Sequence, residues 1–266
     1  MPLLQRTPDA NKGDHGALGI IGGAQGTVGA AFLSARTALF CGTGRVYVVR
    51  PGLHDGLVMD PLSPEVMVID YAQSRAKPIN AWVVGPGLGT SDAARQILTQ
   101  ILGSNAPMVI DADALNLMAD DPALVRQCAR RSAATIITPH PGEAARLLKI
   151  SVQDIQQSRN ANALLLAKTC NAIAVLKGHE TVIATTDGHT QINHTGNVAL
   201  ATGGTGDVLA GLIGALIAQG ISAQEAVVNG VRIHGSAAEN LTRKLGGPIG
   251  ITASELIPEV RKLLNS

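Results

Sequence analysis

The chain has 266 residues, a net charge of +1, 45% hydrophobic residues and only 2% aromatic residues. Its core must therefore be built from Leu, Ile, Val and Ala, which together with 30 glycines favours layered α/β packing over an aromatic-rich sandwich. The small net charge argues against a nucleic-acid partner, and three widely spaced cysteines predict a reducing compartment without a disulfide framework or zinc site.

The distribution of apolar residues along the chain predicts neither a targeting segment nor a membrane segment. Residues 1–12 contain no apolar stretch of signal-peptide length, and the longest apolar run, 208–218, is shorter than the roughly 20 residues that span a bilayer. We therefore predict a soluble cytoplasmic protein with no membrane partner. No linker, charge run or low-complexity segment divides the chain, so we expect one domain over 1–266.

Short apolar runs that end in glycine- or proline-rich loops alternate with helical patterns. The first unit is a strand over 17–22, a glycine-rich turn, a helix over about 30–41 and a strand over 45–49, which is the β–α–β unit of a parallel sheet. Further strands are predicted over 65–69, 81–84, 108–110, 135–137 and 173–176. Ligands of open parallel sheets bind where the carboxyl ends of the strands meet, so the loops after these strands are the expected site.

The remaining segments complete a mostly parallel α/β/α architecture. Helices are predicted over 91–102, from about 143 to 149, over 151–169, from 222 onwards and over 252–264, with a bend at Pro258. Ser151 with Asp154, and Ser222 with Glu225, are placed as capping boxes for two of these helices. The strands 181–184 and 189–192 flank Asp-Gly and predict a β-hairpin.

The sequence Thr-Gly-Gly-Thr-Gly-Asp at 202–207 leads directly into a long apolar helix. A helix N-terminus with glycines attracts phosphate, because its free N–H groups and dipole are positive. A carboxylate there is useful if Asp207 takes a proton from a hydroxyl that attacks a phosphoryl group. The alternative is that Asp207 only caps the helix. The motif is neither a Walker A loop nor a dinucleotide fingerprint.

Other strand-end residues add to this hypothesis. Lys177 follows a buried strand and needs an anion or solvent, whereas Asp111 with Asp113 and the proline-flanked His140 could each have a structural role instead. His234 lies on an apolar helical stripe and is interpreted as a core residue. Glycine loops, a lysine, a candidate base and acids for Mg²⁺ together predict a nucleotide-using α/β enzyme that transfers phosphoryl groups.

The loops also occur in the order of a known family. The matching segments are 12–31, 85–89, 111–116, 138–143, 176–181 and 193–207. With these motifs the chain resembles the ADP/ATP-dependent NAD(P)H-hydrate dehydratases, which are ribokinase-like enzymes. The resemblance implies a lyase (hydro-lyase) that uses ADP or ATP to remove water from the S-epimer of hydrated NADH or NADPH. The products are NAD(P)H, AMP or ADP, and phosphate, and the reaction repairs nicotinamide nucleotides.

The resemblance also implies a set of site residues. Ala30, Gly87, Gly89, His140 and Asp207 match positions for the hydrated nicotinamide nucleotide, with Asp207 as the catalytic base. The matching positions for ADP or AMP are Lys177, Gly178, His179, Glu180, Thr181, Gly204, Thr205 and Gly206.

Magnesium, assembly and pathway are implied in the same way. Glu143 matches the acid of the Asn-x-x-Glu motif through which kinase relatives orient Mg²⁺, here with His140 in place of the Asn, so a water-mediated contact is expected. Relatives form homo-oligomers, possibly tetramers. The epimerase domain that often precedes this domain is expected as a separate protein in the same pathway.

Two alternatives stay open at this stage. A small-alcohol kinase of the same fold, for a thiazole or pyrimidine alcohol, would leave a stable phosphorylated product. A catalytically silent nucleotide-binding protein would gain nothing from Asp207 beside the phosphates. The sequence does not choose between ADP and ATP, or between hydrated NADH and NADPH.

Overall fold

The fold is built around one nine-stranded sheet, seen in a computed structural model that describes residues 3–4, 6–51 and 59–266. The strand order is β3-β2-β1-β4-β5-β6-β7-β8-β9, and every neighbouring pair is parallel except β7–β8 and β8–β9, which are antiparallel. The strands are β1 Ala17–Ile21, β2 Arg45–Val49, β3 Met67–Ile69, β4 Ala81–Val84, β5 Met108–Ile110, β6 Thr135–Ile137, β7 Ile173–Leu176, β8 Thr181–Ala184 and β9 Thr190–Asn193.

Two layers of helices cover the sheet. The α-helices are α1 Val28–Phe40, α2 Tyr71–Ser74, α3 Asp92–Ile101, α4 Asp113–Asp120, α5 Pro122–Ala129, α6 Pro141–Leu148, α7 Val152–Gln157, α8 Arg159–Cys170, α9 Thr205–Ala218, α10 Ala223–Leu245 and α11 Ala253–Leu264. Leu18 and Ile20 of β1 pack with α1, α9, α10 and α11, whereas Ile21 packs with α3 to α6 and α8. Because alternate side chains of a strand point to opposite faces, this places the sheet between two apolar layers. The predicted α/β/α class is confirmed.

The predicted strands and the hairpin are confirmed to within two residues of their ends. The central strands are buried along their whole length, as the continuous apolar runs of a parallel sheet require. The β8–β9 hairpin pairs Thr181 with Asn193 and Ala184 with Thr190. Within the described part of the chain, no helix is both long and apolar enough to cross a membrane. The predicted absence of a signal segment over 1–12 falls partly on residues outside the described ranges.

One predicted helix is wrong. The run 151–169 forms two helices, because Ser158 leaves the helical conformation at φ −136° between α7 and α8. Ser151 does form the predicted capping box with Asp154, so the start of α7 was correct. The side-chain amide of Asn162 lies next to this break and donates to the carbonyls of Asp154 and Ile155 at 3.0 and 3.5 Å. The helices α4 and α5 were not predicted.

The topology brings the important loops to one edge. Strands β1, β4, β5, β6 and β7 are parallel, so the loops that follow them leave the sheet on the same side. Helix α9 packs beneath β1, β4 and β5, and its first residues lie beside the ends of β5 and β7. The glycine-rich sequence before α9 therefore faces the loops that the sequence analysis singled out.

Candidate active site

Lys177 forms the centre of a charged cluster at this edge. Its ammonium Nζ lies 2.7 Å from Oδ1 of Asp111 and 3.9 Å from Oε2 of Glu143. Asp111 follows β5 and is 1% exposed, and Glu143 lies in the first turn of α6 and is 5% exposed. Burial by itself lowers the pKa of Lys177. The negative charges of Asp111, Glu143 and Asp207 raise it by more, so the pKa is raised overall. The lysine therefore stays charged, and Asp111 is the anion that its position at the sheet edge required.

Helix α9 begins beside this cluster. Gly204 is its N-cap with a φ of +91°, a left-handed conformation that glycine adopts at low cost. The hydroxyl of Thr205 donates to the carbonyls of Leu200 and Thr202 at 2.7 and 3.0 Å, which fixes the preceding loop. A Cβ atom on Gly206 would lie 3.3 Å from the Lys177 Nζ. Only a glycine leaves the space over the lysine open to a ligand.

Asp207 does not cap this helix. It is the third residue of α9, and no side chain makes a capping hydrogen bond at its start. The capping alternative is therefore wrong for this residue. Burial raises the pKa of Asp207 to about 7, with a further contribution from Asp111, while Lys177 acts in the opposite direction. A carboxyl group with this pKa exchanges a proton near neutrality, which is the property that a general base needs.

The loops after β1 and β4 lie against each other. The carbonyl of Gly87 accepts from the amide of Ala24 at 2.7 Å and from the hydroxyl of Thr27 at 3.0 Å. Gly87 and Gly89 have φ angles of +58° and +72°. The amide of Gly89 donates to Oδ2 of Asp113 at 2.8 Å, which connects this loop with the end of β5. The loops that follow β1, β4 and β5 are thus joined by hydrogen bonds and form one continuous rim at this edge of the sheet.

Helix α1 connects this rim with α9. The hydroxyl of Ser34 donates to the backbone carbonyl of Asp207 at 2.8 Å, and the two helices pack closely. Ala30 lies one turn before Ser34 and is half-buried. Helix α1, which carries Ala30, is thus joined to the first turn of α9, which carries Asp207.

His140 has a structural role that the sequence left open. Its Nδ1 accepts hydrogen bonds from the amides of Gly142 and Glu143 at 2.9 and 3.3 Å, so it is the N-cap of α6. The Glu143 carboxylate in turn accepts a hydrogen bond from the backbone amide of His140 at 2.8 Å. Burial and the nearby Lys177 and Arg146 lower the pKa of His140. The ring is half exposed and neutral, which leaves its outer face available to a substrate.

A cavity of about 540 Å³ lies on the other side of Lys177 and Gly206. Every residue predicted for the adenine nucleotide lines it except Gly204, which lies at the helix cap. The β8–β9 hairpin forms one wall and α9 with α10 the other. A cavity of this size fits a nucleotide, because small-molecule sites typically measure about 300–1,000 Å³.

Sequence reasoning missed part of this cavity. The further lining residues are Asn193, His194, Thr195, Gly196, Asn197, Val198, Leu200, Ala201, Leu209, Val231, His234 and Gly235. His234 is buried, as its interpretation as a core residue predicts, but the residue also borders the cavity, and its buried Nε2 atom makes no hydrogen bond within the described residues. The only available signal was a polar ring on an apolar helical stripe followed by a glycine.

Among residues 3–4, 6–51 and 59–266, no three His, Cys, Asp or Glu side chains lie close enough together to coordinate a metal ion such as Mg²⁺. Glu143 already bonds the His140 amide and faces Lys177, so its carboxylate suits a water-mediated contact better than direct coordination. Mg²⁺ commonly uses one or two carboxylates, waters and substrate phosphates. The donor chemistry therefore fits a metal that arrives with a nucleotide.

Comparisons with known proteins show which enzyme family this chain resembles. The sequence profile of the NAD(P)H-hydrate dehydratase family (Carb_kinase) matches residues 18–262. The ADP-dependent (S)-NAD(P)H-hydrate dehydratase of Neisseria meningitidis is 42% identical, with 98% of this chain and 88% of the relative covered. The bifunctional NAD(P)H-hydrate repair enzyme Nnr of Escherichia coli is 38% identical over 99% of this chain, which spans about half of that relative.

A solved structure shows the same architecture. The Bacillus subtilis ADP/ATP-dependent NAD(P)H-hydrate dehydratase, co-crystallised with ATP/Mg²⁺, superposes with a TM-score of 0.85 at 29% identity, covering 100% of this chain and 94% of that chain. The small-alcohol kinase alternative is not favoured, because the family profile and the curated relatives are dehydratases. With its matching profile, these relatives and the resemblance in its strand-end loops, the chain belongs to the NAD(P)H-hydrate dehydratase family.

Proposed function

We propose that the protein is an ADP-dependent (S)-NAD(P)H-hydrate dehydratase, a hydro-lyase that restores NADH or NADPH from their hydrated forms. The observation that carries this proposal is Asp207, whose pKa of about 7 places a proton acceptor at the glycine-rich start of α9. The nucleotide cavity lies on one side of this point, and the rim that contains Gly87 and Gly89 lies on the other. The two substrates would meet at Asp207.

In the first step Asp207 takes the proton of the ring hydroxyl. The resulting oxygen forms a bond to the terminal phosphorus of ADP while the bond from that phosphorus to the bridging oxygen breaks, so AMP leaves. In the second step the lone pair of the ring nitrogen forms a double bond to the ring carbon and expels phosphate, which carries away the former hydroxyl oxygen. Loss of a proton from the adjacent ring carbon then restores the reduced nicotinamide.

The chain supplies charge stabilisation for both steps. Lys177 is held beside Gly206 by Asp111, so its ammonium group faces the position of the transferred phosphoryl group. The free backbone N–H groups at the start of α9 add a fixed positive potential there. Bound Mg²⁺ would neutralise phosphate charge, with Glu143 holding it through water. The neutral, half-exposed His140 ring and the half-buried Ala30 would face the nicotinamide side.

The proposed co-substrate is ADP or ATP, and the proposed assembly is a homo-oligomer. ADP and ATP present the same terminal phosphoryl chemistry to Gly206 and Lys177, so either one can serve. A homo-oligomer and a separate epimerase, which would interconvert the epimers of the hydrate, complete the proposed setting in the cytoplasm.

The test is incubation with hydrated NADH and either ADP or ATP. We expect recovery of the near-ultraviolet absorbance of NADH together with an equal amount of free phosphate. A kinase would instead consume the nucleotide and leave a stable phosphorylated product without recovery of absorbance. A silent binding protein would change neither signal, and this result would refute the proposal.

A further inference from the structure

The loop 177–180 connects β7 to β8 and forms part of the wall of the nucleotide cavity. It begins with Lys177, whose ammonium group is proposed to face the transferred phosphoryl group. Its last residue, Glu180, has a φ of +56°. Residues other than glycine rarely adopt this left-handed conformation, and it persists only where surrounding contacts hold it. The contacts that hold this loop therefore determine the shape of the nucleotide site.

Arg159 supplies such contacts from outside the cavity. Its guanidinium Nη2 donates to the carbonyls of Leu176 and Lys177 at 2.9 and 3.2 Å, and the carbonyl of Glu180 lies 3.5 Å away. Carbonyl groups from both ends of the loop thus converge on one nitrogen atom. Hydrogen bonds from a charged donor are stronger than those between neutral groups. The Nη1 atom donates to Oε1 of Gln156 at 2.8 Å, which fixes the orientation of the guanidinium group.

The chain around Arg159 is arranged for this contact. Helix α8 begins at Arg159, because Ser158 interrupts the helical run. The helix dipole repels a cation in the first turn, so this position is unfavourable unless nearby carbonyl oxygens offset the repulsion. A Cβ atom on Gly178 would lie 3.2 Å from Nη1, so the glycine lets the guanidinium group approach the loop closely. The helix start and the glycine together place the guanidinium group against the loop.

Arg159 acts on the cavity only through this loop. It is not among the described residues that line the nucleotide cavity, and it lines a separate groove of about 450 Å³ instead. Glu180 borders both spaces, so the loop is the wall between them. A nucleotide in the cavity would therefore contact the loop and not the guanidinium group.

We propose that Arg159 is a positioning residue of the nucleotide site, whose guanidinium group holds loop 177–180 in the conformation that binds ADP or ATP. This inference rests on the proposed use of these nucleotides, because it names the residue that keeps the wall of that same cavity in place. A loop released from Arg159 samples other conformations. The apparent affinity for ADP then falls in proportion to the fraction of molecules whose loop is held.

The test compares ADP binding by the wild-type protein, Arg159→Met and Arg159→Lys in calorimetric titrations, well below the unfolding midpoint of each protein. Met keeps an apolar stem and removes the donors, whereas Lys keeps the charge without the planar fork of donors. We expect Arg159→Met to bind ADP about tenfold more weakly, as the loss of one charge-assisted hydrogen bond to the loop predicts. Arg159→Lys should recover part of this loss. Arg126→Met is the matched control, because Arg126 is exposed in the last turn of α5, and it should bind ADP as the wild type does.

Steady-state kinetics separates positioning from a purely structural role. Because the loop borders only the nucleotide cavity, the KM for ADP should rise about tenfold in Arg159→Met, while the KM for the hydrate stays within about twofold. A purely structural arginine would instead lower the number of binding sites per chain and the turnover number. The affinity of the folded molecules for ADP would then be unchanged.

The proposal is overturned if Arg159→Met binds ADP as tightly as the wild type does, or if it raises the KM of both substrates by the same factor. If Arg159→Met does not fold, Arg159→Lys carries the same comparison, and an affinity equal to that of the wild type overturns the proposal. If the wild-type protein binds ADP but restores no NADH, the proposed function fails, and the titrations still decide the role of Arg159. If it restores NADH and the variants match it, only the inference about Arg159 fails.

Discussion

Replacing Asp207 by Asn should lower the turnover number and raise the free energy of unfolding. The carboxyl has a raised pKa of about 7 in the folded protein against 3.8 in the ordinary state. The protonated form is thus favoured in the fold, and the stability present below pH 3.8 is lost as pH rises towards 7. One pKa unit corresponds to about 1.4 kcal/mol, so the ionised carboxylate costs at most ~4 kcal/mol. Solvent at the partly exposed group reduces this to about 2 kcal/mol.

Asn is neutral at every pH and avoids that cost. At pH 8 we expect Asp207→Asn to increase the free energy of unfolding by about 2 kcal/mol, which raises the unfolding midpoint by roughly 4–8 °C. At pH 4 the gain should nearly vanish. The turnover number should fall by about 10²–10⁴-fold, because the proton acceptor is lost. ADP affinity should stay the same or improve, since a carboxylate near the phosphates is removed.

The assays are thermal unfolding at pH 4 and pH 8, ADP titration, and NADH recovery from the hydrate. Asp120→Asn is the matched control, because it makes the same change of charge at the exposed end of α4. This control should leave turnover intact and stability within about 0.5 kcal/mol. Retained turnover in Asp207→Asn would refute the assignment of the base. A stability gain of equal size at both pH values would refute the electrostatic argument.

Three further outcomes follow from the same cluster. The kcat/KM of the wild-type protein should rise with pH through an apparent pKa near 7, as Asp207 loses its proton, in a pH–rate profile. Lys177→Met should lower the free energy of unfolding by about 3–5 kcal/mol in urea at pH 7, because Asp111 becomes a buried carboxylate without its cation. Gly206→Ala should weaken ADP binding about tenfold in titrations, since its Cβ lies 3.3 Å from the Lys177 Nζ. Gly247→Ala, with nothing within 4 Å of the added atom, should bind ADP normally.

Each of these outcomes has a contrary result. A flat pH–rate profile between pH 6 and 8 would place the essential ionisation on another group. An unfolding free energy unchanged in Lys177→Met would mean that Asp111 is stable without its partner. Equal ADP affinities of Gly206→Ala and Gly247→Ala would exclude a phosphate from the space above Lys177.

The local sequence patterns determined which residues form strands and which loops form the candidate site. Continuous apolar runs predict buried parallel strands, because a strand covered on both faces has no polar positions, and this gave β1, β4, β5 and β6 nearly residue for residue. The loops after these strands follow from the same patterns. Asp207 and Lys177 were therefore candidates before any contact was known.

The pairing of side chains came from the tertiary structure alone. Asp111 and Lys177 are 66 positions apart, and only the order β5-β6-β7 brings their strand ends together. The raised pKa of Asp207 requires this cluster and its burial, which no local pattern contains. The break at Ser158 and the position of His234 beside a cavity are also set by packing between distant elements. The hydrophobic periodicity of a segment shows which of its faces is apolar, whereas the tertiary fold determines which residues that face contacts.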